Sequence, residues 1–321
     1  MINNLPHEII YQWIGKDNSE VCNLWYKIWC TKPMSVKSGY VYPLKTLLKF
    51  KNLMALDLDN NLIVDSSIQL LTTLRTLSLD MNNYVTDDML RHLTNITSLS
   101  LMRNNKITGD SLKYLTRITN LCIYANDQIN NAVLKNLTYI TKLDIGGNNL
   151  ITDDSLKYLT KINSLTLIDN KLISDESIMY LTNISYLHIS DCHSVTDRSI
   201  KFLTNMTNLE LDNTGNIGYE SLKYLTNLTT LRLSNHEMKC REFKKFTNLK
   251  SLKLHGGTYI TGASVRCLTN LESLHLFIGG NIGIQDICEL TKLREFRMKG
   301  YYPSSKQKLM KIYPNLIVFD N

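Results

Sequence analysis

From Leu56 to Phe319, apolar and polar positions follow one phrase that recurs every 21 to 23 residues, most often 22. Its clearest copy reads Ile140-x-x-Leu143-x-Ile145-x-x-Asn148-x-x-Ile151-Thr-Asp-x-Ser-Leu156-x-x-Leu159-Thr160. The Leu143-x-Ile145 alternation has the period of a half-buried strand, with two side chains inward and the one between them outward. The later stretch from Thr152 to Leu159 opens on an oxygen-bearing cap and acidic residues and carries Lys157 near its end, which predicts a short helix or 3-10 turn. Aligned on the first strand position, the copies begin at Leu56, Leu77, Leu99, Leu121, Leu143, Leu165, Leu187, Leu209, Leu231, Leu252, Leu274, Phe296 and Phe319. Units that each pack on their neighbours make one long domain. At about 4.8 Å per strand, their sheet runs roughly 60 Å.

Two polar ladders accompany the apolar one. Asn61, Asn82, Asn104, Asn126, Asn148 and Asn170 stand three residues after the second strand aliphatic in successive units. An asparagine there donates and accepts toward backbone groups of adjacent turns that burial would otherwise leave unpaired. The ladder decays through Cys192, Thr214, His236, Gly257, Gly279 and Tyr301, which predicts differently bonded turns toward the C-terminus. A second column, from Thr72 and Thr94 through Thr291, closes each outer segment, and its hydroxyls are expected to tie local backbone as the chain turns back toward the sheet. The ends differ, as capping of a stacked array requires. Met34-x-Val36, 22 residues before Leu56, reads as a degenerate first strand, and residues 301–321, with Leu316-x-x-Phe319, as a C-terminal capping repeat. The division expected is therefore 1–32, a helical segment; 33–300, the array; and 301–321, the cap.

The phrase resembles the leucine-rich-repeat template L-x-x-L-x-L-x-x-N. That resemblance implies an α/β solenoid: a curved parallel sheet inside, short helices or 3-10 turns outside, and a small helical segment at the N-terminus.

The formal charge of +7 changes this picture little, because many of the basic residues recur at one phase, Arg91, Lys113, Lys135, Lys157, Lys201 and Lys223, and read as a solvated outer face. Neither nucleic acid nor membrane is an expected partner. Sequons at Asn95, Asn136, Asn183, Asn205 and Asn227 follow from the repeated phrase and are not expected to be glycosylated. Seven cysteines without a C-x-x-C pair point to reduced thiols and no zinc. His188, Cys192 and His193 form the one grouping with metal-ligand chemistry, and it reads as structural or solvent-facing. No nucleophile is spaced with a base, so neither enzyme activity nor a cofactor is expected. The start Met-Ile-Asn-Asn-Leu-Pro lacks a secretory pattern, and no run reaches the roughly 18 apolar residues of a membrane span, which predicts a soluble cytoplasmic or nuclear protein. An exported adhesin of the internalin type, with similar 22-residue repeats, would carry a leader and an anchor.

Before Lys32 the pattern changes. Leu5-Pro6-His7-Glu8-Ile9-Ile10 opens one amphipathic stretch and Val21-Cys22-Asn23-Leu24-Trp25 another, around a Gly15-Lys16-Asp17-Asn18 turn. The segment resembles an F-box, whose pattern opens L-P-x-E-[IL]-[IL] and closes V-C-x-x-W. Here the interval between the two ends is shorter than in that family. The resemblance, of a kind with F-box and repeat proteins of protists and large DNA viruses, implies a substrate receptor of a cullin-based ubiquitin ligase, with Leu5, Pro6, Ile9, Ile10, Val21 and Trp25 docking on a Skp1-type adaptor. The same segment also reads as a plain cap over the first repeat, leaving a protein-binding scaffold or effector.

The residues flanking and between the two strand aliphatics map the concave face. Early units offer Asp57, Asp59 and Asp80; middle units Met102, Tyr124, Ile168 and Tyr186; late units Arg232, Lys253, His255, His275, Phe277, Arg297 and Lys299. Tyr124, Tyr186 and the late set are the expected contacts to an unidentified target protein, the late set suiting an acidic or phosphorylated segment. A row on the other side, Tyr114, Tyr158, Tyr180 and Tyr224 with His92 and Phe202 in phase, is expected to cover the outer helices.

Overall fold

The computed structural model describes residues 34–36, 48, 52–60, 66–236, 240–256, 260–277, 282–298, 311, 313 and 317–319. Its strands are β1 (Met34–Val36), β2 (Leu53–Asp57), β3 (Thr76–Ser78), β4 (Ser98–Ser100), β5 (Asn120–Cys122), β6 (Lys142–Asp144), β7 (Ser164–Ile168), β8 (Tyr186–Ser190), β9 (Asn208–Asp212), β10 (Thr230–Ser234), β11 (Ser251–His255), β12 (Ser273–Phe277), β13 (Glu295–Met298) and β14 (Ile317–Phe319). They form one 14-stranded sheet in sequence order, every described pair parallel. The fold is the curved leucine-rich-repeat solenoid. Short elements lie between strands, such as the α-helix Asp153–Leu156 and the 3-10 helix Leu112–Tyr114.

Register is constant because each first-position leucine stands opposite the next: Leu143 faces Leu121 and Leu165, and Leu209 faces Leu187 and Leu231. Two end registers differ from those read in the sequence. Val36, not Met34, stands opposite Leu56, after an irregularity between Met34 and Ser35; at the other end Val318, not Phe319, stands opposite Phe296. From Leu53 to Phe296 the apolar positions of successive units form one continuous buried core.

The asparagine ladder works as its chemistry requires. Asn104, wholly buried, donates from Nδ2 to Leu79 O at 2.9 Å and Asn82 O at 2.6 Å, and its Oδ1 accepts from Lys106 and Ile107 N–H at 3.0 and 3.1 Å. Where asparagine runs out, other groups substitute. Cys192 Sγ donates to Ser190 O at 3.2 Å and accepts from Asn170 N–H at 3.4 Å, and His236 Nε2 lies 2.6 Å from Ile217 O.

Bonds at the turn into the sheet are distributed differently from expectation. The Thr72, Thr160, Thr182 and Thr204 positions take part through their carbonyl oxygens, which accept from Asn95, Asn183, Asn205 and Asn227 one repeat later. Hydroxyl ties to the preceding repeat come instead from Thr97, Thr119, Thr141, Thr207 and Thr229. The sequon asparagines thus have structural work, apart from Asn136, which bonds back to Ala132 O within its own turn.

Beyond each strand from β2 to β11 the chain passes through the left-handed region, at Met81 (φ 56°), Arg103 (φ 51°), Ala125 (φ 50°) and equivalent positions. A non-glycine residue there costs about 1–2 kcal/mol. The conformation aims the Met81, Arg103 and Ala125 N–H groups at carbonyls of the next repeat, at 2.8, 2.8 and 2.7 Å. The outer segments are capped as expected: Thr152, Ser174 and Thr196 accept from the N–H two residues on. A carboxylate ladder joins successive outer segments, with Asp175 accepting from Thr196 N–H, Thr196 Oγ1 and Ser199 Oγ at 2.9, 2.6 and 2.6 Å.

Candidate functional site

The inner face of the sheet presents three columns of side chains. From β9 to β13 the central one reads Glu210, Arg232, Lys253, His275, Arg297, flanked by Asn208, Thr230, Ser251, Ser273, Glu295 and by Asp212, Ser234, His255, Phe277. Constant register therefore gathers most of the late set expected to bind a partner: Arg232, Lys253, His255, His275, Phe277 and Arg297. Lys299 lies outside the described residues.

Phe277 is the centre of this group. The His255 ring stacks on it at 4.2 Å between centroids and 23° between planes, His275 meets it edge-on at 6.3 Å, and the Arg297 guanidinium lies 5.9 Å from its centroid. His275 Nε2 is 2.9 Å from Glu295 Oε1, and Glu295 Oε2 accepts from Ser273 Oγ at 2.9 Å. On β8 to β10, Tyr186 donates to Glu210 Oε1 at 3.2 Å, and Arg232 Nη1 approaches Glu210 Oε2 at 3.3 Å. Burial, then the Glu210 carboxylate, pushes the Tyr186 phenol up to about 12, so it remains a donor at any physiological pH.

These neighbours change the electrostatics read from the sequence. Burial holds His275 below the ordinary histidine range despite Glu295, and burial with the Arg232 charge does the same to His255. Both imidazoles are neutral at pH 7, Arg232 already has a carboxylate partner, and Glu295 lies inside the group. The basic side chains and aromatic read from the sequence are thus joined by the carboxylates of Glu210 and Glu295. Glu210 and Glu295 were missed, although each lies in a column beside a basic residue of the next or preceding repeat and was legible there.

A stability consequence follows from the two histidines. In the unfolded chain each takes up a proton below about pH 6.5; in the folded chain each resists until lower pH. The unfolded state then binds more protons, so stability falls as pH drops through that window. Urea midpoints at pH 7.5 and 5.5 are expected to show a loss for the parent chain and a smaller one for His275→Gln. Equal losses would remove His275 as a cause.

Nearer the middle, Tyr124 lies over Gly146: a Cβ there would come within 2.6 Å of the tyrosine ring and 3.1 Å of Ile168 Cβ. The missing side chain lets Tyr124 lean along the sheet toward Ile168. At the early end the acids bond to the scaffold, with Asp80 Oδ1 accepting from Ser100 Oγ at 2.6 Å and Met102 N–H at 2.8 Å, and Asp59 Oδ1 from Asp80 N–H at 2.9 Å.

The His188–Cys192–His193 grouping separates: His188 is on the inner face of β8, Cys192 is buried in the ladder, and His193 is exposed. Among the described residues no three His, Cys, Asp or Glu side chains are placed to hold a metal ion, and no helix is long and apolar enough to cross a membrane. Leu5, Pro6, Ile9, Ile10, Val21 and Trp25 lie outside the described residues. The outer aromatic row covers less than expected: Tyr114, Tyr158, Tyr180, Phe202 and Tyr224 keep 45–58% of their surface.

Neither a family model nor a curated protein sequence matches the chain. Among solved structures it is similar to an internalin from Listeria monocytogenes, at 23% identity over 91% of this chain and 87% of that one, with a TM-score of 0.63. It is also similar to the TLR13 chain of the TLR13–ssRNA13 complex, at 18% identity and TM-score 0.59, covering 82% of this chain and 41% of that one. A leucine-rich-repeat protein of Leptospira interrogans gives 18% identity over 86% of each chain, with a TM-score of 0.50. These likenesses concern the fold.

Proposed function

We propose that the chain is the substrate-recognition subunit of a Skp1–cullin–F-box-type ubiquitin ligase in the cytoplasm or nucleus. Leu5, Pro6, Ile9, Ile10, Val21 and Trp25 grip the Skp1-type adaptor, and the concave face holds the target. The observation that carries the target half is the Phe277 group, where a partly buried aromatic ring is framed by His255, His275 and Arg297 on three adjacent strands. Rings and arginines framed in this way are where protein partners gain most of their binding energy. The adaptor half rests on the N-terminal motif. Such a subunit breaks no bond itself; it raises the concentration of a target beside the ubiquitin-loaded enzyme.

Co-purification with a Skp1-type adaptor is the test. The intact chain is expected to capture it, and Pro6→Asp with Ile10→Asp to lose capture while keeping the melting temperature. No capture by the intact chain ends the ligase reading. It would leave a protein-binding scaffold or effector with residues 1–32 as a cap, a reading favoured by the short interval between Pro6 and Trp25.

A further inference from the structure

The outer aromatic row forms a line. Leu70, Tyr114, Tyr158, Tyr180, Phe202 and Tyr224 share one repeat phase and keep 45–61% of their surface, and they make up much of the exposed large apolar surface among the described residues. A lysine attends several of the rings: Lys113, Lys157, Lys201 and Lys223 lie 5.1–5.4 Å from the centroids of Tyr114, Tyr158, Phe202 and Tyr224. Lys161 lies 4.0 Å from the centroid of Tyr139, an exposed ring in another phase. Some of these cations are matched, as Lys157 is by Asp154 and Lys223 by Glu220. Lys113, Lys135, Lys161, Arg198 and Lys201 stand in no ion pair within 4.0 Å among the described residues.

We infer that this outer line is a second docking surface, separate from the concave face, for an elongated acidic protein segment with apolar side chains. Unpaired cations beside the rings call for carboxylates, and half-exposed rings call for apolar groups between them. The line crosses many repeats on the outside of a curved array, so a planar bilayer touches few of its rings while a polypeptide follows all of them. Each attended ring already has an ammonium over one face, which leaves its edge and opposite face to a side chain and disfavours the continuous stacking that a single-stranded nucleic acid needs.

The experiment selects a random displayed peptide library on the whole protein. It then measures the recovered peptides by fluorescence anisotropy against the parent and against Tyr158→Ser/Tyr180→Ser/Phe202→Ser/Tyr224→Ser. These positions are exposed, and an unchanged circular dichroism melt confirms folding. Expected are peptides rich in Asp or Glu with Leu or Phe, weakened roughly 100-fold by the quadruple variant and about tenfold between 50 and 500 mM salt, as screening of exposed charge dictates. A second variant, Lys113→Glu/Lys201→Glu, is expected to weaken them as well. Recovery only of peptides without acidic residues, or equal binding by both variants, overturns the inference. So does variant-sensitive binding of phosphatidylserine vesicles or of a single-stranded oligonucleotide with no acidic peptide recovered, since either assigns the line to another partner class.

Discussion

Replacing Leu143 with aspartate is expected to break the array in its middle. Leu143 is 1% exposed, stands between Leu121 and Leu165 in the sheet, and belongs to the continuous apolar core. A carboxylate there either stays ionised without a partner or takes up a proton and still leaves its oxygens unbonded, at a cost of more than about 4 kcal/mol either way. Each repeat contacts only its neighbours, so the damage divides the stack and the two parts should melt separately. Lys157→Ala, in the same repeat, removes one half-exposed ion pair at 3.8 Å and a ring contact, and should change stability by no more than about 0.5 kcal/mol. A single unchanged transition for Leu143→Asp would contradict the assignment of inward and outward positions.

Asn148→Ala ranks second. The buried carboxamide serves four backbone groups: Asn126 O at 2.7 Å, Ile129 O at 3.2 Å, and the N–H groups of Leu150 at 2.8 Å and Ile151 at 3.0 Å. Alanine orphans them all. At about 1–3 kcal/mol for each unsatisfied group, with water re-entering at some of them, the loss is expected near 3–5 kcal/mol. Asn148→Cys should recover part of it, because Cys192 already serves one donor and one acceptor at the equivalent place. Calorimetry on the three proteins orders them, and an alanine variant as stable as the parent would make the ladder decorative.

The fold was legible wherever both neighbours of a strand repeat the phrase, because period-2 alternation fixes which side of a strand faces the core and a slip of one residue reverses it. At the ends only one neighbour constrains the pairing. There the readings of Met34 and Phe319 gave way to Val36 and Val318. The threonine column misled because carbonyl oxygens have no sequence signature, and the left-handed turn, marked by Asn60, Gly147, Asn213 and Asn235 in some repeats, was obscured by Met81, Arg103 and Ala125 in others.

The site was legible in part, for a related reason. Adding columns by phase located Arg232, Lys253, His275 and Arg297 on one face. It did not weigh Glu210 against Arg232, its neighbour in the same column, or Glu295 against His275, which lies diagonally in the adjacent column. The fate of the histidines depended on burial, which a pattern of types does not disclose. Exposure of the outer rings was hidden likewise, since a tyrosine column reads the same whether it shields the layer beneath or faces solvent.

The constant register from β2 to β13 also has an evolutionary consequence. Equivalent residues of successive repeats stand opposite one another, so excising or duplicating one whole unit joins surfaces that already fit, while losing a residue within a strand would turn its inward side chains outward; the connecting segments absorb such a loss, as the 21-residue steps from Leu56 to Leu77 and from Leu231 to Leu252 show. Recombination between such similar coding segments would lengthen or shorten the protein in complete coils. Closely related genes should therefore differ in copy number more readily than in spacing, and reach, more than stability, is what such changes would alter.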